Sequence, residues 1–168
     1  QVIKDPIGTK GARLSTQVSI AGRFLVYLPQ ESHIGISQRI EDEVERTHLR
    51  ERLQQALPGD ETGGFIIRTM AEAASIPELA SDIDYLRRLW RGIREDSAQA
   101  SAPAPLYHDL NLSLRVLRDF VSDETARVLV DSRETHQKML AFAEAYTRNF
   151  SNCIEHYVGE RPLFDLYA

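Results

Sequence analysis

The run Gly63-Gly64-Phe65-Ile66-Ile67-Arg68-Thr69 sets the tightest condition on what this chain can fold into. Three large apolar side chains between a glycine pair and an arginine read as a buried strand, and a buried strand needs neighbours and a cover. The sequence supplies both. Phe24-Leu25-Val26-Tyr27-Leu28, stopped by Pro29, is a second strand of the same kind, and a helix starting near Pro77 carries Leu79, Ile83, Leu86, Trp90 and Ile93 at helical spacing. That helical face is predicted to be the main apolar cover of the sheet, with Trp90 in the core rather than serving as a base-stacking platform.

Around this centre the pattern varies. Pro6-Ile7-Gly8-Thr9-Lys10-Gly11 holds two glycines able to take positive φ, so the backbone can turn sharply and push Lys10 outward. Arg13 to Ile20 alternates loosely until Ala21-Gly22 interrupts it. A helix is predicted from Glu41 to Leu57, ended by Pro58-Gly59-Asp60; its sparse stripe of Val44, Leu49, Leu53, Ala56 and Leu57 implies a helix lying on a sheet with most of its girth in water. Asp96 to Pro105 lacks periodicity and reads as a flexible connector and a subdomain boundary. Beyond it come a helix over Leu110 to Val121, a strand over Arg127 to Asp131, a helix over Arg133 to Tyr146 and a strand over Ile154 to Val158. Alternating strands and helices imply an α/β layer, although two strands make a meagre sheet.

With 168 residues, 42% hydrophobic and 27% charged, the chain can build one sizeable folded domain or two small ones. Its net charge of -5 argues against a protein that coats nucleic acid non-specifically. The charge is uneven, however. Up to position 39, five basic residues (Lys4, Lys10, Arg13, Arg23 and Arg39) stand against Asp5 and Glu31, a local excess of +3 that leaves -8 for the remainder. Such a distribution fits a local nucleic-acid face on an acidic body, and equally a solvated charge run. No stretch approaches the roughly 18 apolar residues of a membrane span, so none is expected. The single Cys153 cannot close an internal disulfide, no Cys/His spacing suggests zinc, and a reducing cytosol is the expected setting. The first residues, Gln1-Val2-Ile3-Lys4-Asp5, carry neither an initiator Met nor a signal peptide, so the chain is expected to begin within a longer protein.

Arg68 and Thr69, side by side at a strand end, have the chemistry of a phosphate trap. A guanidinium offers a planar fork of N–H donors to two phosphate oxygens, and a threonine adds a hydroxyl and a backbone N–H for a third. The same arginine also fits an ordinary pairing with a surface carboxylate.

Read together, Gly8-Thr9-Lys10-Gly11-Ala12, Ser19-Ile20-Ala21-Gly22-Arg23-Phe24-Leu25-Val26, Ile36-Ser37-Gln38-Arg39-Ile40-Glu41 and Gly64-Phe65-Ile66-Ile67-Arg68-Thr69 resemble the bacterial ribonuclease E/G family. Arg115-Val116-Leu117-Arg118-Asp119-Phe120, Val130-Asp131-Ser132 and Pro162-Leu163-Phe164-Asp165 extend the likeness in the same order over essentially the whole chain, and the phrasing looks more like the G branch than the E branch.

The resemblance implies an α+β chain in three parts: residues 1–12 as the tail of an OB-fold RNA-binding domain, 13–104 as a small α/β sensor of RNA 5′ ends, and 105–168 as part of a ribonuclease H-like α/β scaffold. It implies that Arg68 and Thr69 hold the terminal 5′-monophosphate, that Gly22 and Val26 line that pocket, Val26 through its backbone, and that Lys4 and Lys10 touch the RNA backbone. Gln38 stands where the E branch has an arginine, so Gln38 is left out and Arg39 is undecided. The resemblance further implies a Mg²⁺-dependent, single-strand-specific, cytoplasmic endoribonuclease that assembles as a homo-oligomer linked through Zn²⁺. Its metal-binding aspartates and zinc cysteines are expected after Ala168, so no metal or cofactor and no cleavage are expected of these residues. Asp109, Asp119 and Asp131 are expected in scaffold roles, Asp131 as a helix cap or turn residue. The competing reading is a non-catalytic α/β module that binds a protein partner through the Pro77–Arg94 helix or an open sheet edge.

Overall fold

The computed structural model describes residues 1–122, 124–147 and 150–167. The fold is mixed, with α-helices and β-strands in two compact units, Gln1–Leu106 and Tyr107–Ala168.

The first unit opens with a hairpin of β1 (Val2–Lys4) and β2 (Arg13–Leu14). Its loop turns at Gly8, whose φ of 57° places it in the left-handed region, and Ile7 and Lys10 exchange both backbone hydrogen bonds at 3.0 Å. Gly8 alone supplies the positive φ; Gly11 does not. A four-stranded sheet follows in the order β3 (Ile20–Ala21), β4 (Leu25–Leu28), β6 (Gly64–Ile67), β5 (Ile34–Ile36). The loosely alternating Arg13–Ile20 stretch is therefore not one strand: its ends pair in different sheets. β3 and β6 flank β4 antiparallel, while β5 runs parallel to β6 with Ile36 opposite Ile67.

Strand alternation sorts the two faces. Leu25, Ile67 and Ile36 form one buried row and Ile20, Tyr27 and Phe65 lie in the next, whereas Ala21, Val26, Ile66 and Gly35 form the half-buried row of the opposite face. Helices α1 (Glu43–Ala56) and α2 (Ile76–Gln99) pack on each other and against the strands. They contribute Leu49, Leu53, Leu79, Ile83 and Leu86, none more than 1% exposed. Each such side chain contributes about 1.5–3 kcal/mol by leaving water. The helix α1 starts at Asp42, whose carboxylate accepts from the amides of Val44 and Glu45, and Val44 itself is exposed rather than part of the apolar stripe.

A capping box starts α2. Ser75 accepts from the Glu78 amide, and Glu78 accepts from the Ser75 amide at 2.8 Å, which with the Ser75 hydroxyl holds the Glu78 carboxyl below its ordinary range. The helix runs on to Gln99, into the stretch that sequence periodicity assigns to a connector. The reason is that Asp96-Ser97-Ala98-Gln99 lacks an apolar stripe but also lacks a breaker until Pro103, so propensity continues the helix into solvent. Trp90 and Ile93 are half-buried, not core; the sheet-covering face ends near Leu89.

A polar clasp joins α2 to the loop before β6. Glu61 accepts from the Tyr27 hydroxyl at 3.1 Å and from the Thr62 and Gly63 amides at 3.0 and 2.7 Å, and pairs with Arg87 at 3.2 Å. Arg87 also reaches Asp60 at 2.9 Å.

In the second unit, β7 (Val128–Val130) and β8 (Ile154–His156) pair in parallel, and α4 (Arg133–Phe142) packs against both. The strands are shorter than sequence alternation suggests. Ser132, not Asp131, caps α4 by accepting from the Thr135 amide at 3.2 Å. Helix α3 (Leu112–Phe120) packs on α4, while Leu112, Val116 and Phe120 face outward; α5 (Leu163–Tyr167) closes the chain.

The clasp gives the first unit an alkaline limit. Burial, then the nearby Glu61 carboxylate, push the Tyr27 hydroxyl up to about 12. An unfolded tyrosine releases its proton near pH 10, so the stability tied to this group is complete below about pH 10 and is lost as pH rises to about 12. Replacing Tyr27 with Phe should flatten that loss, measured as urea midpoints of both proteins between about pH 9 and about pH 12.

Candidate functional site

Three segments meet at one edge of the four-stranded sheet. Because β4 runs antiparallel to β6 and β5 runs parallel to it, the start of β4, the end of β6 and the end of β5 coincide. The tight β3–β4 turn (Gly22 to Phe24), the Arg68–Thr69 pair and the Ser37–Ile40 loop therefore lie side by side. Backbone hydrogen bonds knit them: the Gly22 amide donates to Leu25 O at 2.8 Å, the Arg68 amide to Phe24 O at 2.9 Å and the Ser37 amide to Ile67 O at 2.9 Å.

The turn is held from both sides. On the helix side, the buried Asp82 of α2 accepts from the amides of Arg23, Phe24 and Leu25 at 2.9, 2.8 and 2.9 Å. On the strand side, Nη1 of Arg68 donates to the carbonyls of Gly22 and, at 3.0 Å, Arg23. Only glycine fits at position 22, since a Cβ there would lie 2.5 and 2.6 Å from the two Asp82 carboxylate oxygens. Asp82 is the residue that motif reading overlooks. Its signal is its place inside the stripe Leu79, Ile83, Leu86, where a carboxylate must find buried donors.

Arg68 is half-buried and, among the described residues, pairs with no carboxylate. The ordinary surface ion pair is thus not what holds it. With Nη1 committed to the turn, its Nε and Nη2 donors have no protein acceptor among the described residues. Thr69 begins a short 3-10 turn, Thr69–Ala71, in which the Ala71 amide donates to Arg68 O. Neither the Thr69 hydroxyl nor its amide is committed within the described residues, so both of these consecutive residues keep donors without a protein acceptor. Gly22 lies in the same corner. Val26 sits further along β4, its backbone flanked by Ala21 on one side and Ile66 on the other. Gln38 and Arg39, both exposed, follow β5 and border the corner; the Arg39 amide donates to Ser37 Oγ at 3.3 Å.

Lys4 and Lys10 are exposed on the β1–β2 hairpin, in a different sheet from Arg68. A separate groove of about 530 Å³ lies at the opposite end of β4, lined by Tyr27, Asp60, Glu61, Arg87, Trp90 and Arg94. Its floor is the Glu61 clasp. Among the described residues no group of three or more His, Cys, Asp or Glu side chains is placed to hold a metal ion. Among them, too, no helix is long and apolar enough to cross a membrane.

Residues 19–168 match the family model described as Ribonuclease E/G family. The chain is 47% identical over 167 residues to Ribonuclease G of Escherichia coli (strain K12), covering 99% of this chain and 34% of that protein. It is 40% identical over 168 residues to Ribonuclease G of Haemophilus influenzae, again 34% of that protein, and 35% identical over 168 residues to Ribonuclease E of the same organism, 18% of that protein. The chain thus spans about a third of the length of the curated ribonuclease G relatives that it matches.

If Asp82 is what satisfies the turn, truncating it strands three backbone donors at once. Asp82→Ala should lower unfolding stability by about 2–4 kcal/mol, read from urea denaturation, the range expected for buried donors left without an acceptor.

Proposed function

Because the chain belongs to the ribonuclease E/G family, we propose that it is the part of an endoribonuclease that recognises the 5′ end of single-stranded RNA, with Arg68 and Thr69 holding a terminal monophosphate. The observation that carries this reading is the state of Arg68: one nitrogen is fixed on the Gly22 turn, while its Nε and Nη2, like the hydroxyl and amide of the adjoining Thr69, have no protein acceptor among the described residues. A phosphate monoester is close to a dianion at neutral pH and brings three acceptor oxygens, which match a fork, a hydroxyl and an amide. In this reading the corner takes a single phosphate, so a triphosphate is rejected by bulk and a 5′-hydroxyl by leaving the corner's donors unmatched. Gly22 shapes the corner, and the Val26 backbone lines it. Lys4 and Lys10, on their own hairpin, contact the RNA backbone and set affinity more than sequence.

In the cytoplasmic parent enzyme, the held 5′ end raises the local concentration of the strand at a distant cleavage centre in RNA processing and decay. The Mg²⁺ of that centre, and the Zn²⁺ that links subunits of the homo-oligomer, belong in this reading to parts of the parent outside these residues, and this chain alone does not cut RNA. The rival reading, a protein-binding module using the Pro77–Arg94 helix, has less support. The apolar face of that helix is already occupied by its own sheet, with Leu79, Ile83 and Leu86 at most 1% exposed.

A short 5′-phosphorylated RNA and its 5′-hydroxyl twin, titrated into the chain at low salt, test the proposal. The phosphorylated RNA should bind more tightly, and Arg68→Ala should remove about 1.5–3 kcal/mol of that preference, the worth of a hydrogen bond to a charged group. Equal affinities for the two RNAs in the unsubstituted protein would overturn it.

A further inference from the structure

We infer that Asp82 is the positioning residue of the terminal-phosphate site, acting on Arg68 through the Gly22 turn; the inference rests on the phosphate reading of Arg68 given above. The two groups do not touch, yet two peptide units join them. In the peptide between Gly22 and Arg23, the N–H donates to Asp82 at 2.9 Å and the C=O accepts from Arg68. In the next, the Phe24 N–H donates to Asp82 at 2.8 Å and the Arg23 C=O accepts from Arg68 at 3.0 Å. Each amide is polarised in the same sense, anion at its hydrogen and cation at its oxygen, so each bond strengthens the other. The arrangement is an ion pair relayed through two parallel amides.

Such a relay does more than stabilise a turn. Fixing both hydrogens of Nη1 fixes the plane of the guanidinium, which is rigid, and hence the direction in which Nε and Nη2 point. A phosphate then meets donors already oriented, and little ordering cost remains to be met on binding. The glycine at 22 belongs to the same device, because any side chain there would push the carboxylate off the amides.

The experiment compares unsubstituted protein with Asp82→Asn, Gly22→Ala, Arg68→Ala and the Arg68→Ala/Asp82→Asn double variant, each at a temperature where denaturation curves show it folded. Two readouts are taken: the ratio of affinities for 5′-phosphorylated and 5′-hydroxyl RNA, and the NMR signals of the Arg68 guanidinium, assigned by their loss in Arg68→Ala. Asp82→Asn keeps the shape, removes the charge and turns one acceptor into a donor facing an amide. It should cut the phosphate preference roughly tenfold, towards that of Arg68→Ala, and have no further effect on that preference in the Arg68→Ala background. The Arg68 guanidinium, whose rotation is hindered in the unsubstituted protein, should become freely averaging. Should Asp82→Asn not fold, Gly22→Ala displaces the same carboxylate with its charge intact and should give the same two changes.

Unchanged Arg68 signals in these variants would overturn the inference. So would an Asp82→Asn loss that weakens both RNAs equally and persists in the Arg68→Ala background, since that is the mark of a purely structural residue. If the unsubstituted protein makes no distinction between the two RNAs, the phosphate assignment falls, and with it the site that Asp82 would position; the Arg68 signals then report only whether the relay itself exists.

Discussion

The contact on which the first unit most depends is the one between the buried Asp82 carboxylate and the three consecutive amides of the β3–β4 turn. A carboxylate inside a helix–sheet interface is costly unless donors surround it, and a tight turn inside that interface leaves amides that no strand can accept. Each therefore solves the other's problem. The solution also fixes where α2 lies along the sheet, since Asp82 shares a helical face with the buried Leu79, Ile83 and Leu86, and α2 packs on β3 and β4.

The sheet topology brings that local fit beside Arg68. With β4 antiparallel and β5 parallel to β6, three chain reversals are brought to one edge, and Arg68 emerges where the carbonyls of the turn face outward. An arginine at a strand end elsewhere would find a surface carboxylate or water. Here it finds the two backbone oxygens of Gly22 and Arg23. At the opposite end of β4 a carboxylate takes the arginine instead: Glu61 pairs with Arg87 and accepts from the Thr62 and Gly63 amides.

Much of this was legible before any coordinates. The apolar runs at Phe24–Leu28 and Phe65–Ile67 and the helix beyond Pro77 are strong local signals, because burial and period leave few alternatives, whereas the Arg68–Thr69 pair is a weak one by itself, since strand-end arginines commonly pair with surface carboxylates. Asp82 interrupts an apolar stripe but gives no local signal of its role, since its meaning depends on a turn nearly sixty positions away. Trp90 misleads in the opposite direction: periodicity puts it on the core face, but the sheet ends before the helix does, so the stripe outlasts what it could cover. The end of α2 was hidden for a related reason. Residues 96–99 carry no apolar pattern, and helices continue on propensity alone until something stops them. Asp131 shows how neighbouring candidates compete, as Ser132 takes the cap one position later.

The link between Asp82 and Arg68 runs through main-chain amides and carbonyls of the turn, and a side chain at position 22 would displace the carboxylate from them. Comparison of sequences by residue identity would undervalue such a device, because what is inherited is a backbone path and the absence of one carbon atom. Substitution has correspondingly little room in the turn, and more at position 69 and at the exposed Gln38 and Arg39 after β5.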